Sequence, residues 1–185
     1  MKRFGKTRRN SSKGFTLIET MIAMAILAFG ILSLAAVYSQ GLKISNVNQV
    51  QFIAQQKAQQ ALESIYTARN TGYLSWAQIN NVSSKGVFLD NPQPLLAPGP
   101  DGIVGTADDD ATNPDAITIG PGPDKMLGTA DDQVTKLNPW MTRTITIKDD
   151  PNLPLVLKNI TITINYNYEG RAYQFQLQSN ISSYS

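Results

Sequence analysis

Lys13-Gly14-Phe15-Thr16-Leu17-Ile18-Glu19 opens an apolar run from Phe15 to Val37, 23 residues in which Glu19 is the only charged side chain. At about 1.5 Å per residue, a helix of that length crosses a hydrocarbon core roughly 30 Å thick. The run exceeds the roughly 7–15-residue apolar region of an ordinary secretory signal, so it reads as a membrane span. Glu19 is then out of place, because a carboxylate at membrane depth costs about 2.5–3.5 kcal/mol on insertion scales. A cut between Gly14 and Phe15 would expose a new α-amine about one helical turn away. Glu19 of one subunit could meet that amine on a neighbour, a pairing that requires several copies.

Charge fixes the orientation. Lys2, Arg3, Lys6, Arg8, Arg9 and Lys13 precede the run with no acidic residue among them, a positive-inside signal that keeps residues 1–14 in the cytoplasm. Without these six, the chain has 10 basic and 14 acidic side chains, a formal charge of −4. The basic tract abuts a span, which favours a topology signal over nucleic-acid binding. With no cysteine and no histidine in the sequence, disulfides, thiolate nucleophiles, histidine-based zinc sites and Ser-His-Asp catalysis are excluded. An enzyme is not expected.

Gly14-Phe15-Thr16-Leu17-Ile18-Glu19, preceded by Lys13 and followed by the long apolar run, resembles the class III signal of type IV prepilins and type II secretion pseudopilins. The resemblance implies cleavage after Gly14 by prepilin peptidase, N-methylation of Phe15, and a role for Glu19 in subunit registration. It implies partners as well: other pilin subunits and an inner-membrane assembly machinery. The protein would sit in the inner membrane as a single-pass chain, N-terminus cytoplasmic, before entering a surface pilus. Ile26 to Ala36 is similar to PilV-like minor pilins and to minor pseudopilins. Major pilins commonly have a helix-kinking proline where this chain has Ala36, and many close the C-terminal region with a disulfide.

No proline appears before Pro92, and helix formers continue beyond the span, predicting one helix over about 15–69. Residues 15–38 form its transmembrane and assembly half. Over 39–69, Val47, Val50, Ala54, Ala58, Ala61 and Ile65 recur at spacings of three and four, a stripe that a sheet could cover. It lacks the large a/d residues of a coiled coil.

Toward the C-terminus the period changes to two. Ile160, Ile162, Ile164, Tyr166 and Tyr168 alternate with Thr161, Thr163, Asn165 and Asn167, as in a half-buried strand. A two-residue turn at Glu169-Gly170 would set Tyr166 opposite Tyr173, Ile164 opposite Phe175 and Ile162 opposite Leu177. Met141 to Lys148 supplies a third strand. The expected fold is α+β and type IV pilin-like: a long N-terminal helix, and a C-terminal antiparallel β-meander at 140–181 packed on the helix's outer half. An irregular acidic region at 70–138 lies between them, all of 39–185 forming one extracytoplasmic head.

That region contains a duplication. Residues 98–109, Pro-Gly-Pro-Asp-Gly-Ile-Val-Gly-Thr-Ala-Asp-Asp, return at 121–132 as Pro-Gly-Pro-Asp-Lys-Met-Leu-Gly-Thr-Ala-Asp-Asp, nine of twelve positions identical. From Gly99 to Asp132 there are eight acids and one base, a formal −7. Calcium takes six to eight oxygen ligands in a flexible shell, and glycines allow a loop to turn its carbonyls inward. Asp101, Asp108 and Asp109 in one repeat, and Asp124, Asp131 and Asp132 in the other, are the candidate calcium ligands, up to one ion each. Thr106 and Thr129 would brace the turns. The spacing is not that of an EF-hand, and two solvated turns are the competing reading.

Three functions remain open at this point: a non-enzymatic minor type IV pilin, a minor pseudopilin of a type II secretion system, and a calcium-dependent adhesin displayed on a pilus.

Overall fold

The computed structural model describes residues 14–137 and 140–184. The basic leader over 1–13 lies outside the described residues. Two compact units divide the chain, Met1–Asn46 and Val47–Ser185, and one helix, α1 (Leu17–Asn70), contributes to both.

In the first unit, every described residue from Gly14 to Asn46 is exposed. The helix here is long and apolar enough to cross a membrane. In the second unit α1 has the opposite character on one side, where Val50, Ala54, Ala58, Ala61, Ile65 and Ala68 are buried. This is the stripe the spacing predicts, extended by Ala68, with Val47 only half-buried. Alanines dominate it because a backbone brought close to a sheet leaves little room for longer side chains.

The sheet has four strands in the order β1 (Gln93–Pro94), β6 (Met141–Asp149), β7 (Leu157–Tyr168) and β8 (Arg171–Ser182). The β7–β8 register pairs Tyr166 with Tyr173, Ile164 with Phe175 and Ile162 with Leu177, as the turn at Glu169-Gly170 requires. Both turn residues have positive φ, 49° and 75°, the conformation of a type I′ hairpin. Alternation drives one face inward: Met141, Arg143, Ile145 and Ile147 of β6 and Lys158, Ile160, Ile162, Ile164 and Tyr166 of β7 are buried. Their apolar members form a single core with the α1 stripe.

Two differences from expectation concern residues 70–138. The sheet gains a fourth strand from this region, β1 pairing with Thr142 and Arg143 of β6. The acidic segment is not irregular, but two successive β-hairpins. β2 (Leu96–Ala97) pairs with β3 (Asp110–Pro114), and β4 (Ala116–Gly120) pairs with β5 (Gln133–Lys136). Ala97 faces Asp110 and Gly120 faces Gln133, so residues 98–109 and 121–132 are equivalent hairpin loops. The duplication in sequence is a duplication of structure.

Candidate functional site

Thr16 starts α1. Its Oγ1 accepts a hydrogen bond from the Glu19 backbone N–H at 3.3 Å, and Thr20 N–H donates to Thr16 O at 3.2 Å. Thr16-Leu17-Ile18-Glu19 has the spacing of a capping box, in which a threonine hydroxyl satisfies an otherwise unpaired amide of the first turn. Glu19 thus lies where the positive end of the helix dipole favours an anion. Gly14 and Phe15 precede the helix outside any regular element, both exposed. The junction expected to be cut therefore lies outside regular structure, next to a capped helix start. The sequence reading missed Thr16, although Thr-x-x-Glu ahead of an apolar run is its local signal.

Around Glu19 and beyond it the surface is largely apolar, with Leu17, Ile18, Met21, Ile22, Met24, Ile26 and others exposed. Each large side chain of this kind gains roughly 1.5–3 kcal/mol on leaving water. Among the described residues of its unit nothing covers this surface, the condition of a segment meant for lipid or for other subunits.

In the second unit the two hairpin loops repeat one hydrogen-bond scheme. Asp101 Oδ1 accepts from Ile103 N–H and Asp124 Oδ1 from Met126 N–H, each at 2.8 Å. Thr106 Oγ1 donates to Asp108 Oδ1 and Thr129 Oγ1 to Asp131 Oδ1, each at 2.7 Å. Asp109 Oδ2 accepts from Gly105 N–H at 2.8 Å and Asp132 Oδ2 from Gly128 N–H at 2.7 Å. Gly105 and Gly128 have φ of 85° and 88°, which only glycine adopts without strain. A Cβ on Gly99 or Gly122 would collide with the backbone and carboxylate of Asp108 or Asp131, respectively.

The loops differ in surroundings. Ile103, Val104 and Thr106 of the first are buried, while Met126 and Leu127 of the second are 63% and 69% exposed. Asp109 Oδ2 lies 3.6 Å from the guanidinium of Arg143, a side chain 1% exposed. Burial raises the Asp109 pKa, against the Gly105 hydrogen bond and the Arg143 charge that lower it. Burial likewise lowers that of Arg143, which Asp109 and Asp115 oppose. Among the described residues, Arg143 Nε, Nη1 and Nη2 have no hydrogen-bond partner. In the second loop, the Thr129 hydroxyl and then the Asp124 N–H hold Asp131 below the usual carboxylate value, while Asp132 Oδ1 is buried without a partner among the described residues.

Each loop carries three aspartates, whose oxygens are donors suited to a hard cation. Most of the carboxylates already accept backbone or threonine hydrogen bonds. Among the described residues, no group of three or more acidic side chains is arranged to hold a metal ion.

Compared with known proteins, residues 9–35 match the family model of the prokaryotic N-terminal methylation motif. No curated protein and no solved structure matches the chain. The matched motif belongs to structural rather than enzymatic proteins, and it implies processing by prepilin peptidase and assembly with other pilins. The match coincides with a helix that is long and apolar enough to cross a membrane, as a membrane-anchored pilin-like protein requires. The chain therefore carries, over residues 9–35, the N-terminal methylation motif of type IV pilin-like prepilins.

Proposed function

We propose that the protein is a minor type IV pilin, a non-enzymatic subunit built into a surface filament through α1. The observation that carries this reading is a coincidence at one end of the chain. A methylation motif, a capped helix start with Glu19 in its first turn, and an apolar helix surface fall together. In this reading Glu19 meets the α-amine of Phe15 on the adjacent subunit, which offsets the cost of placing a carboxylate in an apolar layer. The minor role is supported by Ala36 at the position of the proline common in major pilins, and by a head without cysteine.

Fractionation of cells tests it. The chain is expected in sheared surface fibres at a small fraction of the main subunit. Retention in the periplasm with secretion components would overturn the pilin assignment in favour of a pseudopilin.

The same proposal gives each acidic loop one calcium ion. What supports it is the oxygen-only donor set, its duplication with conserved geometry, and the buried, unpartnered Asp132 Oδ1. The expected result is a higher melting temperature in millimolar calcium, lost in Asp108→Asn and Asp131→Asn. No change with calcium would remove the ion from the account.

The exposed Met126 and Leu127 at the second loop favour a further reading, adhesion through this loop. A strain lacking 99–132 that forms fibres but no longer attaches would support it, whereas loss of fibres would assign the loops a structural part.

A further inference from the structure

Lys158, Asn80, Asp149 and Trp76 meet in the second unit, and none of them belongs to either acidic loop. Lys158 Nζ donates to Asn80 Oδ1 at 2.9 Å and to Asp149 Oδ1 at 2.7 Å. The Lys158 side chain is 3% exposed, and its Nζ lies 5.0 Å from the centroid of the half-buried Trp76 ring. Asp149 and Lys158 are cross-strand partners at the end of the β6–β7 ladder, so their approach is fixed by the sheet.

Asn80 is held equally firmly. Its neighbour Asn81 is buried, donating from Nδ2 to Ile145 O and accepting at Oδ1 from Ile147 N–H, both at 2.7 Å. Asn80 O accepts from Phe88 N–H at 3.1 Å, and Gly86 packs so closely on the Asn80 backbone that a Cβ there would collide with it. An amine, a carboxamide and a carboxylate are thus brought together by a rigid frame, an arrangement that lowers the entropic barrier to reaction between them.

We propose that Lys158 and Asn80 are joined by a spontaneous isopeptide bond, with Asp149 carrying the proton. Asp149 Oδ1 takes one proton from the Lys158 ammonium. The freed lone pair forms a bond to Cγ of Asn80, whose carbonyl oxygen already faces Nζ. The Cγ–Nδ2 bond then breaks, and the departing nitrogen takes the second proton released by Nζ and leaves as ammonia, the first staying on Asp149. A side-chain amine and a primary amide become one secondary amide, with no oxidant or other co-reactant. In a chain without cysteine, the bond would tie the segment after α1 to β7 as a disulfide does elsewhere.

Mass spectrometry of the full-length protein, purified in detergent and unfolded before measurement, tests this directly. The wild type is expected to be lighter than its sequence by one ammonia, about 17 Da, beyond any N-terminal processing. A digest should yield one branched peptide joining the segments that contain Asn80 and Lys158. Asp149→Ala and Lys158→Arg should each run without this loss and give two separate peptides.

A wild type with both segments free overturns the proposal and leaves the cluster as a resting ion pair. This measurement needs no variant to fold. A bond retained in Asp149→Ala would overturn the part given to Asp149.

Discussion

At the scale of single residues, Glu19 and Thr16 have separable parts. Thr16 supplies a cap worth roughly 0.5–2 kcal/mol, which Thr16→Ala removes while Glu19 keeps its charge. Glu19→Gln leaves the backbone bond to Thr16 intact and removes the charge that a neighbour's α-amine would meet. Filament recovery should therefore fall strongly in Glu19→Gln and only modestly in Thr16→Ala, read as the yield of chain in sheared fibres. A second prediction concerns Lys125, which stands at the position of Gly102 in the other repeat and is forced to φ 59°. A left-handed conformation costs a side-chain-bearing residue about 1–2 kcal/mol, so Lys125→Gly should stabilise the protein by about 1 kcal/mol in denaturant unfolding.

Among the elements, the helix and the β7–β8 hairpin were legible because their signals are local. Alanines at helical spacing and a two-residue turn between alternating strands fix face and register without reference to the rest of the chain. β1 was not legible, since two residues including Pro94 find their partner on β6 some fifty positions away. The hairpins around the acidic loops escaped for a related reason. Their strands are short and mostly exposed, so neither has the alternation that marks a half-buried strand. The repeat itself was visible as sequence, while its role as a pair of hairpin loops depends on the pairing of Ala97 with Asp110 and Gly120 with Gln133. Ala58 lies in the middle of the buried stripe with no exposed surface. Ala58→Leu should destabilise by about 1–3 kcal/mol through overpacking, seen as a lower midpoint of thermal unfolding.

For the whole molecule, the first acidic loop is tied to the core by charge. Arg143 shares its strand face with Met141 and Ile145, so its inward position was implied by parity, but its partner Asp109 was not. Removing Asp109 alone, as Asp109→Ala, leaves Arg143 buried without its nearest opposite charge and should cost about 3–5 kcal/mol. Arg143→Met combined with Asp109→Ala should recover much of that loss, measured by a double-mutant cycle.

Acid unfolding follows from aspartates whose carboxylates accept hydrogen bonds from hydroxyls or backbone N–H groups. The Thr112 hydroxyl at Asp110, the Thr129 hydroxyl at Asp131 and the Asn152 N–H at Asp150 each lower the carboxylate's pKa. Their contribution is present above the unfolded carboxylate value, about 3.9, and is lost as pH falls through the lower folded values. Asp109, raised by burial, acts in the opposite sense, its ionisation costing stability as pH rises through its folded value. The melting temperature should decline below about pH 4, with a shallower decline in Asp131→Asn. The central claim concerns the other end of the chain, and mass spectrometry of the N-terminal peptide from cells with active prepilin peptidase tests it most directly. The account predicts a mature chain that begins at N-methylated Phe15 and lacks residues 1–14; a chain that keeps Lys13-Gly14 joined to Phe15 in such cells would contradict it.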